Sequence, residues 1–143
     1  MAILRLSSKN HVDVPVWVHG HQLHLLLSHP TPPVFDGPEN RNGRRNHDEI
    51  RLWSDYLSGG ERANYLIDNA GRSGGLHSED LFVVLGDLNA DPFDGDRYNQ
   101  AISQLLEHKR IHPAVWLDKQ VPRSKAGNSR TPKILRTGEI LLK

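Results

Sequence analysis

LFVVLGDLNADP, residues 81–92, runs five apolar residues into a glycine and then sets Asp87, Asn89 and Asp91 at alternate positions. An apolar run without alternation, bounded by loops, predicts a strand covered on both faces, of the kind found in parallel sheets. The Asp-x-Asn pair lies directly at its exit. In an extended chain two residues that are two apart point the same way, so Asp87 and Asn89 would present an anionic and an amide oxygen together. That pair suits a hard cation such as Mg²⁺, which takes few protein ligands and keeps several waters. The amide can also donate to a phosphoryl oxygen, and Gly86 permits the close approach of a substrate or another backbone. The same residues equally suit Asx-turns that satisfy only their own backbone. A calcium loop is excluded, because Pro92 stands where such a loop needs glycine and Tyr98 where it needs a bidentate Glu.

Upstream, Val12, Val14, Val16 and Val18 alternate with Asp13, Pro15 and Trp17, a period-two strand that Pro15 assigns to an edge or a bulge. Gly20 makes a turn, and Gln22 to His29 reads as the returning strand, with Leu23, Leu25, Leu27 and His29 on one face. Pro30, Pro32 and Pro33 end the ladder, which leaves His29 at the lip of a sheet. A long loop to Gly43 leads to a helix predicted over about 46–57, with Ile50, Trp53 and Leu57 on one stripe and Tyr56 beside it. Asn46 and Glu49 have capping-box spacing, and Gly59 and Gly60 stop the helix. Residues 61–80 carry a weak pattern with several glycines. Downstream, Tyr98, Ala101, Ile102, Leu105 and Leu106 predict a second helix, capped by Asp94 or Asp96 and closed by Lys109 and Arg110. A short strand is predicted at Val115–Leu117.

The whole chain of 143 residues has room for one modest core. Its 36% hydrophobic content, 12 Gly and 9 Pro describe a loop-rich domain or part of a larger one. A net charge of +1 gives no global field directed at nucleic acid or membrane. The charge is unevenly spread: from Lys119 onward Lys and Arg face the single acid Glu139, while the body is mildly acidic. Such a tail can touch phosphates or remain simply solvated. The absence of cysteine removes disulfides and thiolate chemistry without fixing a compartment. No apolar run approaches a membrane span, and residues 1–10 lack the pattern of a signal peptide.

FVVLGDLNADP (82–92) resembles the Gly-Asp-x-Asn strand-end signature of the endonuclease/exonuclease/phosphatase family, which has the DNase I-like fold. HLLLSHPTPP (24–33) is similar to that family's earlier strand ending in a catalytic histidine. RNGRRNHDEIRLW (41–53) resembles the helix opening between the two strands in a bacterial branch. The ordered set spans about Val12 to Leu106. The resemblance implies an α/β fold, part of a two-sheet sandwich flanked by helices and incomplete at both ends, with a partial domain over 1–118 and a basic, loop-rich tail over 119–143.

It further implies hydrolysis of a phosphate ester with Mg²⁺ or Mn²⁺. Asp87 would position the attacking water and, with Asn89, bind the metal. Asn89 and Arg45 would bind the phosphoryl group, and His29 would act as the acid–base residue at the leaving oxygen. The chain also departs from the family. Residues 1–10 hold no Glu of the kind expected from an earlier strand as an active-site residue, and no Asp-His dipeptide occurs anywhere. Residues that act as a unit lose most of their effect when one is missing, so impaired activity is expected. The alternative is a non-catalytic binding or assembly module, pairing through open sheet edges, or an inactive fragment.

Other candidates have structural readings beside functional ones. His19 and His21 can share one side of an extended segment near His24, but zinc needs a third ligand of defined geometry. Arg41, Arg44 and Arg45 precede a helix N-terminus that attracts anions, while Arg45 also has Asp48 and Glu49 as ion-pair partners. Trp17, Trp53 and Trp116 read as packing residues.

Overall fold

A computed structural model describes residues 6, 7, 9–93 and 98–113. The strand predicted at 115–117, Trp116, the caps Asp94 and Asp96, and the tail from Lys119 lie outside them. The described residues form a mixed α/β unit with one three-stranded sheet, in the order β1 (His11–Val18), β2 (His21–Ser28) and β3 (Leu81–Leu85). The helices are α1 (Arg41–Ser58) and α2 (Ser103–Leu106).

β1 and β2 form an antiparallel hairpin in the register His11↔Ser28 to Val18↔His21. Its turn is His19-Gly20, both with positive φ (49° and 83°), the handedness that matches the twist of the flanking strands. Pro15 falls on the edge strand, where its missing N–H leaves no gap in the middle of the sheet. β3 joins the other side of β2 in parallel, from Leu23↔Leu81 to Leu27↔Leu85. A parallel partner requires a crossover connection, and α1 lies within it.

α1 covers one face of the sheet. Its Ile50, Trp53 and Leu57 pack with Leu26, Phe82 and Val84, and Ala101, Ile102, Leu105 and Ile111 close the far side of this core. Trp53 satisfies its indole nitrogen inside that layer by donating to Ser28 Oγ at 2.7 Å. His11 leans on the same indole, with ring centroids 5.1 Å apart, and its Nε2 donates to the Glu49 carbonyl at 2.9 Å. Burial, the largest effect, holds its pKa below the usual histidine value.

Three expectations change. α1 begins at Arg41 rather than near Asn46, because Asp36 in the preceding loop accepts the N–H groups of Asn42 (2.7 Å) and Gly43 (2.8 Å). Asn46 and Glu49 are therefore interior, buried helical residues and not a capping box. Among the described residues β3 is fully covered on one face only: Phe82 and Val84 are buried, while Val83 and Leu85 are half-buried and Leu81 is exposed. The helical run at 98–106 shrinks to α2, since Asn99 and Gln100 adopt positive φ (46° and 50°) and break it. Among residues 61–80, the Asp68 carboxylate organises a turn by accepting the N–H groups of Ala70 and Arg72 and the Arg72 Nε–H, each at 2.8 Å.

Where β3 ends beside β2, Gly86 has φ 131°, and a Cβ there would lie 1.9 Å from the Ser28 carbonyl oxygen. The contact is with backbone, so no rotamer change relieves it. Gly86→Ala is expected to lower stability by at least about 2 kcal/mol, from the clash and the positive φ together. Urea denaturation of the two chains checks this; equal midpoints would mean that the strands part more easily than their register indicates.

Candidate active site

Because β2 and β3 run parallel, they leave the sheet at the same edge. Ser28, His29 and Pro30 therefore emerge beside Gly86 and Asp87. The second chain does not continue extended: it turns at Gly86 and again at Asn89, whose φ is 49°. Asp87 Oδ1 accepts the Asn89 N–H at 2.9 Å, an Asx-turn that pins the bend. The Asn89 side chain then crosses to the other loop, where Nδ2 donates to the Pro30 carbonyl at 3.0 Å. That bond fixes which way the amide faces and leaves its Oδ1 end directed elsewhere.

α1 braces both loops from below. Asn46 is 1% exposed, and its Nδ2 donates to the Thr31 carbonyl at 2.9 Å and the Leu88 carbonyl at 3.0 Å, with Asn89 O at 3.5 Å. Glu49 is 0% exposed, and its Oε2 accepts the Thr31 N–H. Two helical residues thus hold the backbone on either side of the strand exits. Glu49 Oε1 and Thr31 Oγ1 are buried without a hydrogen-bond partner among the described residues. The floor of this edge is accordingly polar and tightly constrained.

His29 is exposed, and its Nδ1 lies 3.4 Å from Lys9 Nζ. An ammonium can only donate, so Nδ1 is the acceptor and Nε2 carries the ring proton. Arg45 precedes Asn46 on α1, and its Nε donates to the Leu6 carbonyl at 2.8 Å, tying the segment that carries Lys9 to the helix. The edge thus gathers His29, Asp87 and Asn89, with Asn46 and Glu49, which the sequence suggested only as a helix cap, and Lys9, which it did not single out.

Among the described residues no group of three His, Asp or Glu side chains converges to hold a metal ion. Asp87 and Asn89 offer one carboxylate and one amide oxygen. Two such oxygens fall short of a closed protein cage, and a hard cation held by them would need water and substrate for its remaining ligands.

The other polar clusters have structural explanations. His24 lies inside, its Nδ1 2.8 Å from both Asp13 oxygens and its Nε2 3.8 Å from Asp80, while the Tyr56 hydroxyl donates to Asp13. Burial, then Asp13, pushes the Tyr56 phenol well above its ordinary value. A cleft of about 1020 Å³ between α1 and α2 holds Ser58 and His108, 3.0 Å apart. The Arg110 N–H donates to His108 Nδ1 (3.2 Å), so Nε2–H donates to Ser58, whose own proton goes to the Ser54 carbonyl (2.8 Å). With its free nitrogen already protonated, His108 cannot take the serine proton. Burial, and then the neighbouring cations, hold its pKa below the usual value.

No family model, curated protein or solved structure matches the chain. Among the described residues, no helix is long and apolar enough to cross a membrane.

Replacing Asn46 tests the brace. Asn46→Ala strands two half-buried carbonyls and should cost about 1–3 kcal/mol of stability. Asn46→Asp should be worse, because a buried carboxylate would face those same carbonyl oxygens. Chemical denaturation gives the order; an Asp variant as stable as the wild type would show that Asn46 is not the donor assigned to it.

Proposed function

We propose that the chain is a divalent-metal-dependent phosphoesterase, of the kind implied by its resemblance to the endonuclease/exonuclease/phosphatase family. One observation carries this reading: the bond from Asn89 Nδ2 to the Pro30 carbonyl, which draws the Asp87 loop against the His29 loop. An acid–base group and two oxygen ligands thereby share one exposed edge, at the carboxyl ends of parallel strands where α/β sheets bind ligands.

Asp87 and the Oδ1 of Asn89 would hold Mg²⁺ or Mn²⁺, and the bound ion supplies charge neutralisation for the phosphoryl oxygens. Asp87, exposed and bent outward by its Asx-turn, would also orient the attacking water. Held by Lys9 as the neutral ring, His29 would offer Nε2–H to a leaving oxygen as a hydrogen-bond donor only; to act as the acid it would have to leave Lys9 and take a second proton at Nδ1. Lys9 brings a cation beside that ring and would attract the ester phosphate. Arg45 is already engaged, its Nε with the Leu6 carbonyl, so a phosphate contact would have to compete with bonds that Arg45 makes within the chain. Phosphate esters as a class fit these groups, from nucleic acid to phospholipid head groups and inositol phosphates.

A second reading, a non-catalytic assembly module, is favoured by the apolar face of the sheet opposite α1, where Val12, Val14, Val18, Leu27 and Leu81 are exposed.

Hydrolysis of bis-p-nitrophenyl phosphate by the folded 143-residue chain separates the two. The phosphoesterase reading expects slow turnover in Mn²⁺, abolished by EDTA and at least about 100-fold lower in Asp87→Ala, since members of a catalytic unit fail together. Turnover indifferent to EDTA and to Asp87→Ala would contradict it. No turnover from a chain that circular dichroism shows to be folded would favour the assembly module.

A further inference from the structure

Three buried side-chain atoms have no hydrogen-bond partner among the described residues: His11 Nδ1, Thr31 Oγ1 and Glu49 Oε1. They come from β1, from the loop that leaves β2 and from α1, and the three residues meet at Glu49. The Thr31 N–H donates to Glu49 Oε2, and the His11 Nε2–H donates to the Glu49 carbonyl at 2.9 Å. The charge of the Glu49 carboxylate also acts through space on the His11 ring. Each orphan atom has a fixed chemical character. His11 has used its ring proton at Nε2, so Nδ1 offers a lone pair, and burial of the ring opposes a second proton. Glu49 Oε1 offers lone pairs as well, whereas the Thr31 hydroxyl has a proton to give. Buried polar groups of this kind are rarely left unpaired.

We propose that these three atoms bind one internal water molecule, held between β1, the His29 loop and α1. A water complements them group by group. Its two hydrogens go to His11 Nδ1 and Glu49 Oε1, and its oxygen accepts the Thr31 hydroxyl proton. About three such bonds are usual for an internal water, and every orphan is then satisfied. The spacing agrees. No ion pair joins His11 to the Glu49 carboxylate, so their charged atoms stand more than 4.0 Å apart. Two acceptors that share one water are about 4.5 Å apart at ordinary hydrogen-bond lengths. A metal ion is the poorer occupant: it would take both lone pairs but leave the hydroxyl proton without an acceptor. Among the described residues no third His, Asp or Glu side chain converges with these two to complete its ligands. The bound water makes the position of Thr31, two residues beyond His29, depend on β1 as well as on α1. Glu49 then positions that loop through both of its oxygens. The site uses none of His29, Asp87 or Asn89, so it stands whether or not the phosphoesterase reading does.

Oxygen-17 magnetic relaxation dispersion of the full chain tests the proposal, because it counts long-lived internal waters and is blind to exchanging hydroxyl protons. Thr31→Val removes the hydroxyl at nearly constant shape, and His11→Phe removes the Nδ1 lone pair. Either variant that keeps the wild-type circular dichroism suffices for the comparison. The expected result is a dispersion amplitude lower by one water molecule in the folded variant. The wild type should also show a nuclear Overhauser peak between water and the His11 Cε1 proton. Should neither variant fold, that peak decides alone, and its absence overturns the proposal. Equal dispersion in the wild type and a folded variant overturns it too. So does a stoichiometric metal in the wild type, removed by EDTA and not bound by the folded variant, which would make the three atoms a cation site.

Discussion

Asn46 sits inside α1 with its amide turned toward backbone that belongs to neither its own helix nor a strand. Its two N–H bonds end on Thr31, just past β2, and on Leu88, just past β3. Such donors have no alternative inside a packed layer, because an unpaired buried amide or carbonyl is costly. The two loops are consequently held at one height above the core. Glu49, one turn along, adds the Thr31 N–H, and Asn89 completes the set by bonding Pro30. What reaches solvent at that edge, His29 on one loop and Asp87 on the other, has a geometry set from beneath by a helix.

Much of this was legible in the chain. The valine alternation, the proline-stopped strand before His29 and the apolar run ending at Gly86 each predicted an element that is present within a residue or so. Asp87 and Asn89 stood out because acceptor residues at alternate positions directly after a strand have few roles. The side-chain hydrogen bonds were harder to read. Asn46 and Glu49 imitate a capping box, but Asn46 also falls on the stripe Asn46, Ile50, Trp53, Leu57, and a polar residue on an apolar stripe is the better indication of a buried bond. The N-cap residue, Asn40, makes no side-chain cap bond, and Asp36, which accepts the first-turn N–H groups instead, was hidden in a proline-bearing loop. Lys9 approaches His29 across 20 positions, a contact that no local pattern encodes.

The apolar run of β3 shows how one pattern can serve two environments. Five apolar residues in sequence predict cover on both sides, and the chain indeed provides apolar groups on both. α1 supplies the cover on one side only. The same composition that makes Phe82 and Val84 core residues leaves, among the described residues, Leu81 exposed and Val83 and Leu85 half-buried on the other face. The Asx-turn at Asp87 is a similar double use: the carboxylate shapes the bend that exposes it.

Hydrogen exchange followed by NMR would test the brace most directly, read at the Thr31 amide and at the side-chain amide of Asn46. If α1 holds the loops as described, both sets of protons exchange only through global unfolding, with protection equal to that of the β2 amides. Exchange at the rate of the exposed loop around Phe35 would contradict it, and would mean that the edge carrying His29, Asp87 and Asn89 is assembled by something other than this helix.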